Sequence, residues 1–441
     1  MAKYVMKFGG TSLKNATAIE RARRIVQSFY EEKKPEQLIV VVSAQGKLDD
    51  SPLGDKVTNL LERVYKENNC EDIRQEIARR TYQTCKELGI SRPSELIERF
   101  LVARCPYDDK SYSQIVSFGE RISANMVGKY FAKFMNAQTL GFDEIGLVTE
   151  GENYKDANIL ECALPTIKKT LEQRAKVLVI PGFLGYNFRG EVTTLGRDGS
   201  NYSATTIGRA INAAGVYIFS DEPGVRRASP SHVNDAEVLK QITYEEAIEF
   251  AELGAKIINA KSVIPARDGN IPIHIVDETY EGTQISSTVD KKHQGAKIIA
   301  SSPGYYLLNL HYDEDKPGVL AEIAEVFKNT GINIGSISDE RHSLSIAFVP
   351  NDQSKVEDLK NILGEKYRCD IENTYSRISV IGEGMRGQTG LLSRVASCFA
   401  RNNISVDMIS QGLNQLNITM FIPQQHEQIA VRSLYEELFR R

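Results

Sequence analysis

The sequence predicts an α/β domain with a mainly parallel sheet sandwiched by helices, followed by two smaller α+β modules. Three observations carry this. Strand-like and helix-like segments alternate along the first 300 residues, as a parallel sheet covered on both faces requires. The run "QLIVVVSA" (37–44) is continuously apolar and β-branched, the texture of a strand buried on both faces. After residue 300, "PGVLAEIAEVFKNTGINIGSIS" (317–338) matches "TGLLSRVASCFARNNISVDMIS" (389–410) at a constant offset of 72, so one structural unit occurs twice. The resulting division is 1–295, 303–370 and 371–441, with a linker near 291–304.

The elements follow in order. "KYVMKF" (3–8) is a short apolar strand that ends at Gly9-Gly10. "NATAIERARRIVQSFYEE" (15–32) sets Ile19, Ala22, Ile25, Val26 and Phe29 on one helical face. Residues 57–104 and 113–135 read as helical, with charge pairs at i,i+4. "KVLVIPGFLGY" (176–186) reads as one strand. A helix near 201–213, the strand "GVYIFSD" (215–221), a helix near 243–254 and the strand "IPIHIVD" (271–277) complete the first part. Each later copy reads strand–loop–helix–strand–strand, from "YYLLNLHY" (305–312) to "SLSIAFVP" (343–350) and from "SRISVIGE" (376–383) to "LNITMFIP" (416–423). Leu320 pairs with Leu392, Phe327 with Phe399 and Ile337 with Ile409. A shared core pattern explains these apolar matches but not the glycine, Gly318 or Gly390, before each helix. Glycine there lets a ligand carboxylate approach the free N–H groups of the helix start.

Composition excludes several functions. The chain has 441 residues, 41% hydrophobic and 25% charged, as ordinary globular proteins do. Its net charge of −4, without a long basic block, gives no reason to expect nucleic acid or an anionic membrane surface as partner. No apolar run approaches the roughly 20 residues that span a bilayer. The start "MAKYVMKFGG" is too short and polar for a secretory signal. The six cysteines (70, 85, 105, 162, 369, 398) form no C-x-x-C pair and the histidines are dispersed, so reduced thiols in the cytoplasm are expected and no Cys/His metal site is.

Chemistry concentrates at strand ends. "KFGGTSL" (7–13) follows Lys7, a compact cation, with Gly9, Gly10, Thr11 and Ser12. Such a nest of N–H groups suits phosphate, although a strand-end Gly-Gly also makes a plain turn. Ser43 and Thr58, in "VVSAQGK…DKVTNLL", are a candidate hydrogen-bonding pair. "SFGERIS" (117–123) sets Glu120 near a helix start, either as a dipole-favoured acid or as a carboxylate for a substrate ammonium. "LGRDGSN" (195–201) offers Arg197 for a carboxylate and Gly199, Ser200 and Asn201 at a helix start; an Asn N-cap without ligand is the alternative. Ser220 and Asp221 end another strand, and Lys256 follows Gly254. Two lysines, an arginine, an acid and glycine-rich turns are the parts of phosphoryl transfer to an anionic acceptor.

In this order, "KFGGTSL", "VVSA", "SFGER", "TTLGRxGS", "SD-x-x-GV" and "GAK", with two tandem ACT-type modules behind them, closely resemble the aspartokinases. The resemblance covers essentially the whole chain. The excursion "KLDDSPLGDK" before "VTNLL" is similar to the monofunctional, lysine-sensitive type, without room for a fused homoserine dehydrogenase. It implies the amino-acid kinase fold, and transfer of the ATP γ-phosphoryl, with Mg²⁺ bridging the phosphates, to the side-chain carboxylate of L-aspartate. Lys7 and residue 201 would be catalytic. Gly9, Gly10, Thr11 and Ser12 would surround the transferring group. Ser43, Thr58, Glu120, Arg197, Gly199 and Ser200 would bind aspartate, and Ser220, Asp221, Arg226 and Lys256 would serve ATP. An amino-acid effector, lysine or threonine, would bind the first ACT module around Asp315, Gly318, Val319, Leu320, Gly335 and Ser336. A homodimer or dimer of dimers is expected.

The chain departs from the pattern at known places. The family's G-R-G-G-S-D is Gly196-Arg197-Asp198-Gly199-Ser200-Asn201 here. Its T-D-x-x-G-[VI]-Y ends in Arg226, its D-P-R is Ser229-Pro230-Ser231, and its "AK…HP" is Lys256…Asn259-Ala260. Gly335 stands where the lysine-sensitive type often has Asp, while Asp407 holds a related place in the second copy. The acceptor carboxylate is already ionised at pH 7, so residue 201 acts as an orienting group rather than a base. An amide keeps the acceptor oxygen but gives up the charge. Reduced activity, an altered acceptor, or a sensing protein with a degenerate kinase domain are the readings this opens. Asp198 is a new carboxylate that helical geometry does not set on the same spot.

Overall fold

The computed structural model describes residues 2–440 except 51, 68–69, 105, 223, 255–257, 289–294, 313–316, 386 and 413–415. Two compact units emerge. One is built from residues 1–225, 240–248 and 256–288, the other from 226–239, 249–255 and 289–441.

The first unit contains β1 (Lys3–Phe8), α1 (Ala16–Lys33), β2 (Gln37–Val42), α2 (Val57–Lys66), α3 (Glu71–Leu88), α4 (Ser94–Leu101), α5 (Asp109–Phe131), β3 (Ala137–Thr139), α6 (Ala163–Glu172), β4 (Val177–Pro181), β5 (Leu184–Tyr186), β6 (Val192–Thr194), α7 (Gly199–Ala210), β7 (Gly215–Phe219) and β8 (Gln241–Thr243). After α8 (Tyr244–Glu252) come α9 (Ala260–Asp268), β9 (Ile273–Val276) and β10 (Gly282–Ser286). Eight strands form one sheet in the order β3-β4-β2-β1-β7-β9-β10-β8. Every pair from β3 to β9 is parallel; β10 runs antiparallel to β9 and carries β8 beside it. Sequence succession reverses at β1, which has β2 on one side and β7 on the other. That is the crevice where open α/β sheets bind ligands, at the carboxyl ends of the strands.

The expected doubly buried strand is real: all six residues of β2 are buried. One sheet face packs Met6, Phe8, Val40 and Val42 against Ile19, Val26 and Phe29 of α1 and Val127 and Phe131 of α5. Removing methylenes here, as in Phe131→Ala, is expected to lower stability by about 3–5 kcal/mol, measurable by denaturant unfolding. The helical stretch 57–104 divides into three helices. "KVLVIPGFLGY" likewise divides: Phe183 adopts φ 68°, so the chain turns out of the sheet and β5 pairs with β6 in a separate two-stranded ribbon.

The second unit holds β11 (Ile298–His311), α10 (Val319–Thr330), β12 (Ile334–Glu340), β13 (Ser343–Phe348), α11 (Gln353–Gly364), β14 (Arg368–Ile381), α12 (Leu391–Arg401), β15 (Met408–Ser410), β16 (Asn417–Pro423) and α13 (Glu427–Tyr435). Its six-stranded antiparallel sheet runs β12-β13-β11-β14-β16-β15. The repeats interleave. Ile298–Ser302 pairs with Arg377–Ile381, and Leu307–His311 pairs with Arg368–Glu372, across a register shift near Pro303–Leu307. The second repeat therefore takes its outer strand from residues that precede the first. Ala228, Val233 and Ala236 pack into the core of this second repeat, with Ile378, Val395 and Phe399.

Candidate active site

Lys7 lies near the carboxyl end of β1, in register with Val41 of β2 and Ile218 of β7. Its ammonium turns toward Gly9, whose absent Cβ would sit 3.5 Å from Nζ. Burial pushes the Lys7 pKa down to about 8, against the pull of Asp198, Asp221 and Glu120. Three carboxylates from three elements thus favour the charged form of one half-buried lysine.

Glu120 projects from the middle of α5, not from a helix start as the sequence suggested, because α5 begins at Asp109. The helix dipole therefore does not account for its position. It is 3% exposed. Oε1 accepts the Ala44 N–H at 3.2 Å, just past β2, while Oε2 is buried without a partner. Burial raises its pKa to about 8, with the Ala44 N–H and Lys7 opposing. Ser43, also past β2, is half-buried, as is Thr58 in the first turn of α2.

The α7 start stands over the end of β4. A Cβ on Gly182 would meet Ser200 Cβ at 2.7 Å, and one on Gly199 would meet the Phe183 ring at 2.7 Å. The helix is buried nearly all round, and its hydroxyls turn inward onto its own backbone: Ser203 donates to the Gly199 carbonyl (3.0 Å) and Thr205 to that of Asn201 (3.2 Å). Ser200 and Asn201 are buried. Asn201 donates its N–H to the Asp198 carbonyl at 2.8 Å, yet its Oδ1 is buried without a partner. An orphaned buried acceptor costs about 1–3 kcal/mol, and Oδ1 of Asn201 and Oε2 of Glu120 are both such acceptors. Arg197 is exposed. Asp198, which the sequence reading set aside, is half-buried and is the carboxylate that most opposes the fall of the Lys7 pKa. Its signal was the acid standing where the pattern has glycine.

Gly10 has a local structural reason: a Cβ there would meet the Ala44 carbonyl at 2.9 Å, and the Gly10 carbonyl accepts from Gly46 N–H at 2.8 Å. Thr11 and Ser12 lie in the single 3₁₀ turn that follows. They share a cavity of about 570 Å³ with Phe8, Phe219, Ser220 and Asp221. Lys7, Glu120 and Asn201 are not on its wall. Phe8 and Phe219 stack at 4.6 Å beneath it. Arg226 belongs to the second unit, where it donates to the Ala236 carbonyl at 2.8 Å. Lys256 and Asp315 lie outside the described residues.

In the second unit, Gly318 precedes α10 at φ 101° and Gly390 precedes α12 at φ 84°, each with open space where a Cβ would stand. Val319 is half-buried and Leu320 exposed. Gly335 sits at a register shift of β12, and a Cβ would approach the Ala347 carbonyl to 2.9 Å; Ser336 beside it is half-buried. Among the described residues no helix is long and apolar enough to cross a membrane.

A glycine-bearing strand end, a half-buried lysine under the influence of three acids and a parallel sheet with a crevice at β1 point to an α/β small-molecule enzyme of the kinase type, and comparison specifies it further. A sequence profile of the amino acid kinase family matches residues 2–277 and one of the ACT domain matches residues 378–438; the chain belongs to the amino acid kinase family. It is 28% identical to the chloroplastic aspartokinase 2 of Arabidopsis thaliana, over 99% of this chain and 84% of that one. The solved structure of E. coli aspartokinase III in complex with aspartate and ADP (R-state) has a TM-score of 0.82 to this fold at 23% identity, covering 99% of both chains. The same protein in complex with lysine and aspartate (T-state) gives 0.75 at 22% identity, again over 99% of both.

Proposed function

We propose that this chain is an aspartate kinase, transferring the γ-phosphoryl of ATP to the side-chain carboxylate of L-aspartate to give 4-phospho-L-aspartate and ADP. This reaction opens the route to lysine, threonine and methionine. The observation that carries the reading is the set at the carboxyl ends of β1, β2 and β4: the half-buried Lys7 cation beside the buried, unpartnered Glu120 Oε2 and Asn201 Oδ1. An amino-acid substrate with an ammonium and an anionic phosphoryl group satisfies all of it.

A carboxylate oxygen of aspartate attacks the γ-phosphorus, and the bond to the β-phosphate oxygen breaks with ADP leaving. No base is required, because the acceptor is ionised. Lys7 stabilises the charge on the transferring group, between Gly9, Gly10, Thr11 and Ser12. Ionised Glu120 holds the aspartate ammonium, with Ser43, Thr58, Gly199 and Ser200 around it. Arg197 closes on its α-carboxylate in bidentate fashion. Ser220 and Asp221 serve the nucleotide, with Lys256. Mg²⁺ carried on the nucleotide phosphates would neutralise their charge during transfer. The free thiols of Cys70, Cys85, Cys162, Cys369 and Cys398 suit a reducing cytoplasm.

The ACT modules carry amino-acid feedback in this reading, with lysine or threonine as effector at Gly318–Leu320 and Gly335–Ser336. The homodimer has support in a repeated exposure. Leu320 and Leu392 are 48% and 44% exposed, and Ile337 and Ile409 are 36% and 46% exposed. These are the same two positions of both repeats, and a second copy of the chain covers such matched apolar spots. Ile337→Lys together with Ile409→Lys is expected to halve the mass measured by light scattering while the unfolding of the first unit is unchanged. Aspartate-dependent ADP release from MgATP tests the catalytic reading. Release that is independent of aspartate, or supported only by another acid, contradicts it.

A further inference from the structure

Arg121 is the charged residue of "SFGERIS" that the catalytic reading leaves unused. It follows Glu120 by one position, so the helix turns it about 100° around the axis from that acid. It enters a different cavity, of about 630 Å³, whose wall includes none of Lys7, Glu120 and Asn201. Arg99, in the last turn of α4, shares that cavity, as do Tyr186 and Val192 of the β5–β6 ribbon. A volume of this size suits a small molecule. Arg99 also lines a second cavity, of about 440 Å³, with Arg92, Asn125 and Lys129. One face of α5 therefore runs Lys110, Gln114, Arg121, Asn125, Lys129 at helical spacing past both hollows.

The charges on this wall do not cancel internally. Lys110 is matched by Glu191 at 2.8 Å, and Glu191 also accepts from the Tyr154 hydroxyl at 2.5 Å and the Asn187 amide at 2.9 Å. That acid is thus engaged away from the arginines. Among the described residues neither Arg99 nor Arg121 has a hydrogen-bond or ion-pair partner. Asp143 lies on the same wall, with no ion pair to either within 4.0 Å. The α4 dipole favours a cation at Arg99, which accounts for that residue alone. Arg121 stands in the middle of α5, where no helix end asks for it. Its guanidinium carbon lies 5.4 Å from the Phe118 ring, a contact that covers one face and satisfies none of its five N–H donors. Burial and the Arg99 charge lower its pKa, with Asp143 opposing, yet an arginine keeps its proton. Two unpaired guanidiniums repel across one wall, and an anion between them removes the repulsion and meets the donors.

We propose that this cavity is a second ligand site, separate from the catalytic crevice, in which Arg99 and Arg121 together hold the phosphate group of a small molecule. A phosphate monoester carries nearly two negative charges at pH 7 and presents three acceptor oxygens, so guanidiniums from two elements find acceptors at once. A carboxylate offers two oxygens, which one fork already fills. The inference is independent of which acceptor the catalytic site phosphorylates.

Phenylglyoxal modification of the full chain, read by mass spectrometry of the peptides carrying residues 99 and 121, tests it residue by residue. Millimolar inorganic phosphate is expected to slow modification of both arginines about threefold or more relative to sodium chloride of matched ionic strength, while the exposed Arg174 reacts equally in both. Arg121→Gln is expected to abolish the protection of Arg99, and Asp143→Asn to strengthen it, because the acid repels the anion. Protection is expected to persist in Lys7→Met, which alters the catalytic crevice but not this cavity. Equal rates in phosphate and chloride overturn the proposal, as does protection that Arg121→Gln leaves intact or that Lys7→Met removes. Succinate protecting as well as phosphate overturns the assignment to phosphate. The comparison of phosphate with chloride uses the unmodified chain, so it decides even where a variant fails to fold.

Discussion

Lys7→Met is expected to abolish phosphoryl transfer, with kcat down by about 10³ or more, while the protein remains folded and no less stable. The two effects share one cause. An ammonium whose pKa burial has lowered to about 8 is a charge the folded state holds at a cost, since a depressed lysine pKa means the folded chain binds that proton more weakly than the unfolded one. Methionine fills nearly the same volume without charge. The acids left behind, Asp198 and Glu120 among them, respond by taking up protons more readily. Loss of activity without loss of stability, read from steady-state kinetics and thermal unfolding of the same preparation, separates a functional lysine from a structural one. A variant that unfolds more readily and keeps its kcat contradicts the assignment.

Glu120→Gln has the second largest expected effect, and it falls on binding. Glutamine keeps the shape and the bond from the Ala44 N–H but cannot ionise. The KM for aspartate is expected to rise about 30- to 100-fold, the worth of a charged hydrogen bond to the substrate ammonium, with a smaller change in kcat. The pH profile gives an independent check. In the free protein Glu120 titrates near 8 and must lose its proton to bind an ammonium, so kcat/KM rises with pH toward that value. Lys7 must keep its proton and also titrates near 8, so kcat/KM falls beyond it. The result is a narrow bell, whose limbs belong to the coupled pair, and Glu120→Gln is expected to flatten the acid limb. Stability follows the same sign. The Glu120 pKa is raised in the folded state, so its contribution is full below its ordinary value of 4.5 and is lost as pH rises through about 8. The thermal stability of Glu120→Gln relative to the parent should therefore grow across that window.

Much of this was readable in the chain, and the remainder was lost for physical reasons. The all-buried β2 announced itself through an unbroken β-branched run, since a strand covered on both faces has no polar side to alternate with. The offset of 72 announced the repeated module. What the repeat did not announce was the exchange of strands, because Ile298–Ser302 is as apolar as any local strand and pairing is a tertiary choice. The break after β4 was hidden too, as phenylalanine is a strand former and Phe183 takes a positive φ only where the turn and the α7 start demand it. Lys7 and Arg197 stood out by type beside strand ends, whereas Glu120 stood out by type alone, since the sequence set it at a helix start and it lies in the middle of α5. Asp198 was not legible, because its left-handed backbone at the start of α7 leaves no mark in the local pattern.

The most direct test of the central assignment is acyl-phosphate trapping with hydroxylamine, run on the unmodified chain with MgATP and a panel of L-aspartate, L-glutamate, succinate and N-acetyl-L-aspartate. Aspartyl hydroxamate should form with L-aspartate at least about tenfold faster than any product from the others, because succinate and N-acetyl-aspartate lack the ammonium that the proposed site assigns to Glu120. Equal or faster trapping with succinate or N-acetyl-aspartate would contradict the pairing of Glu120 with a substrate ammonium, and no hydroxamate from L-aspartate would contradict the kinase assignment itself.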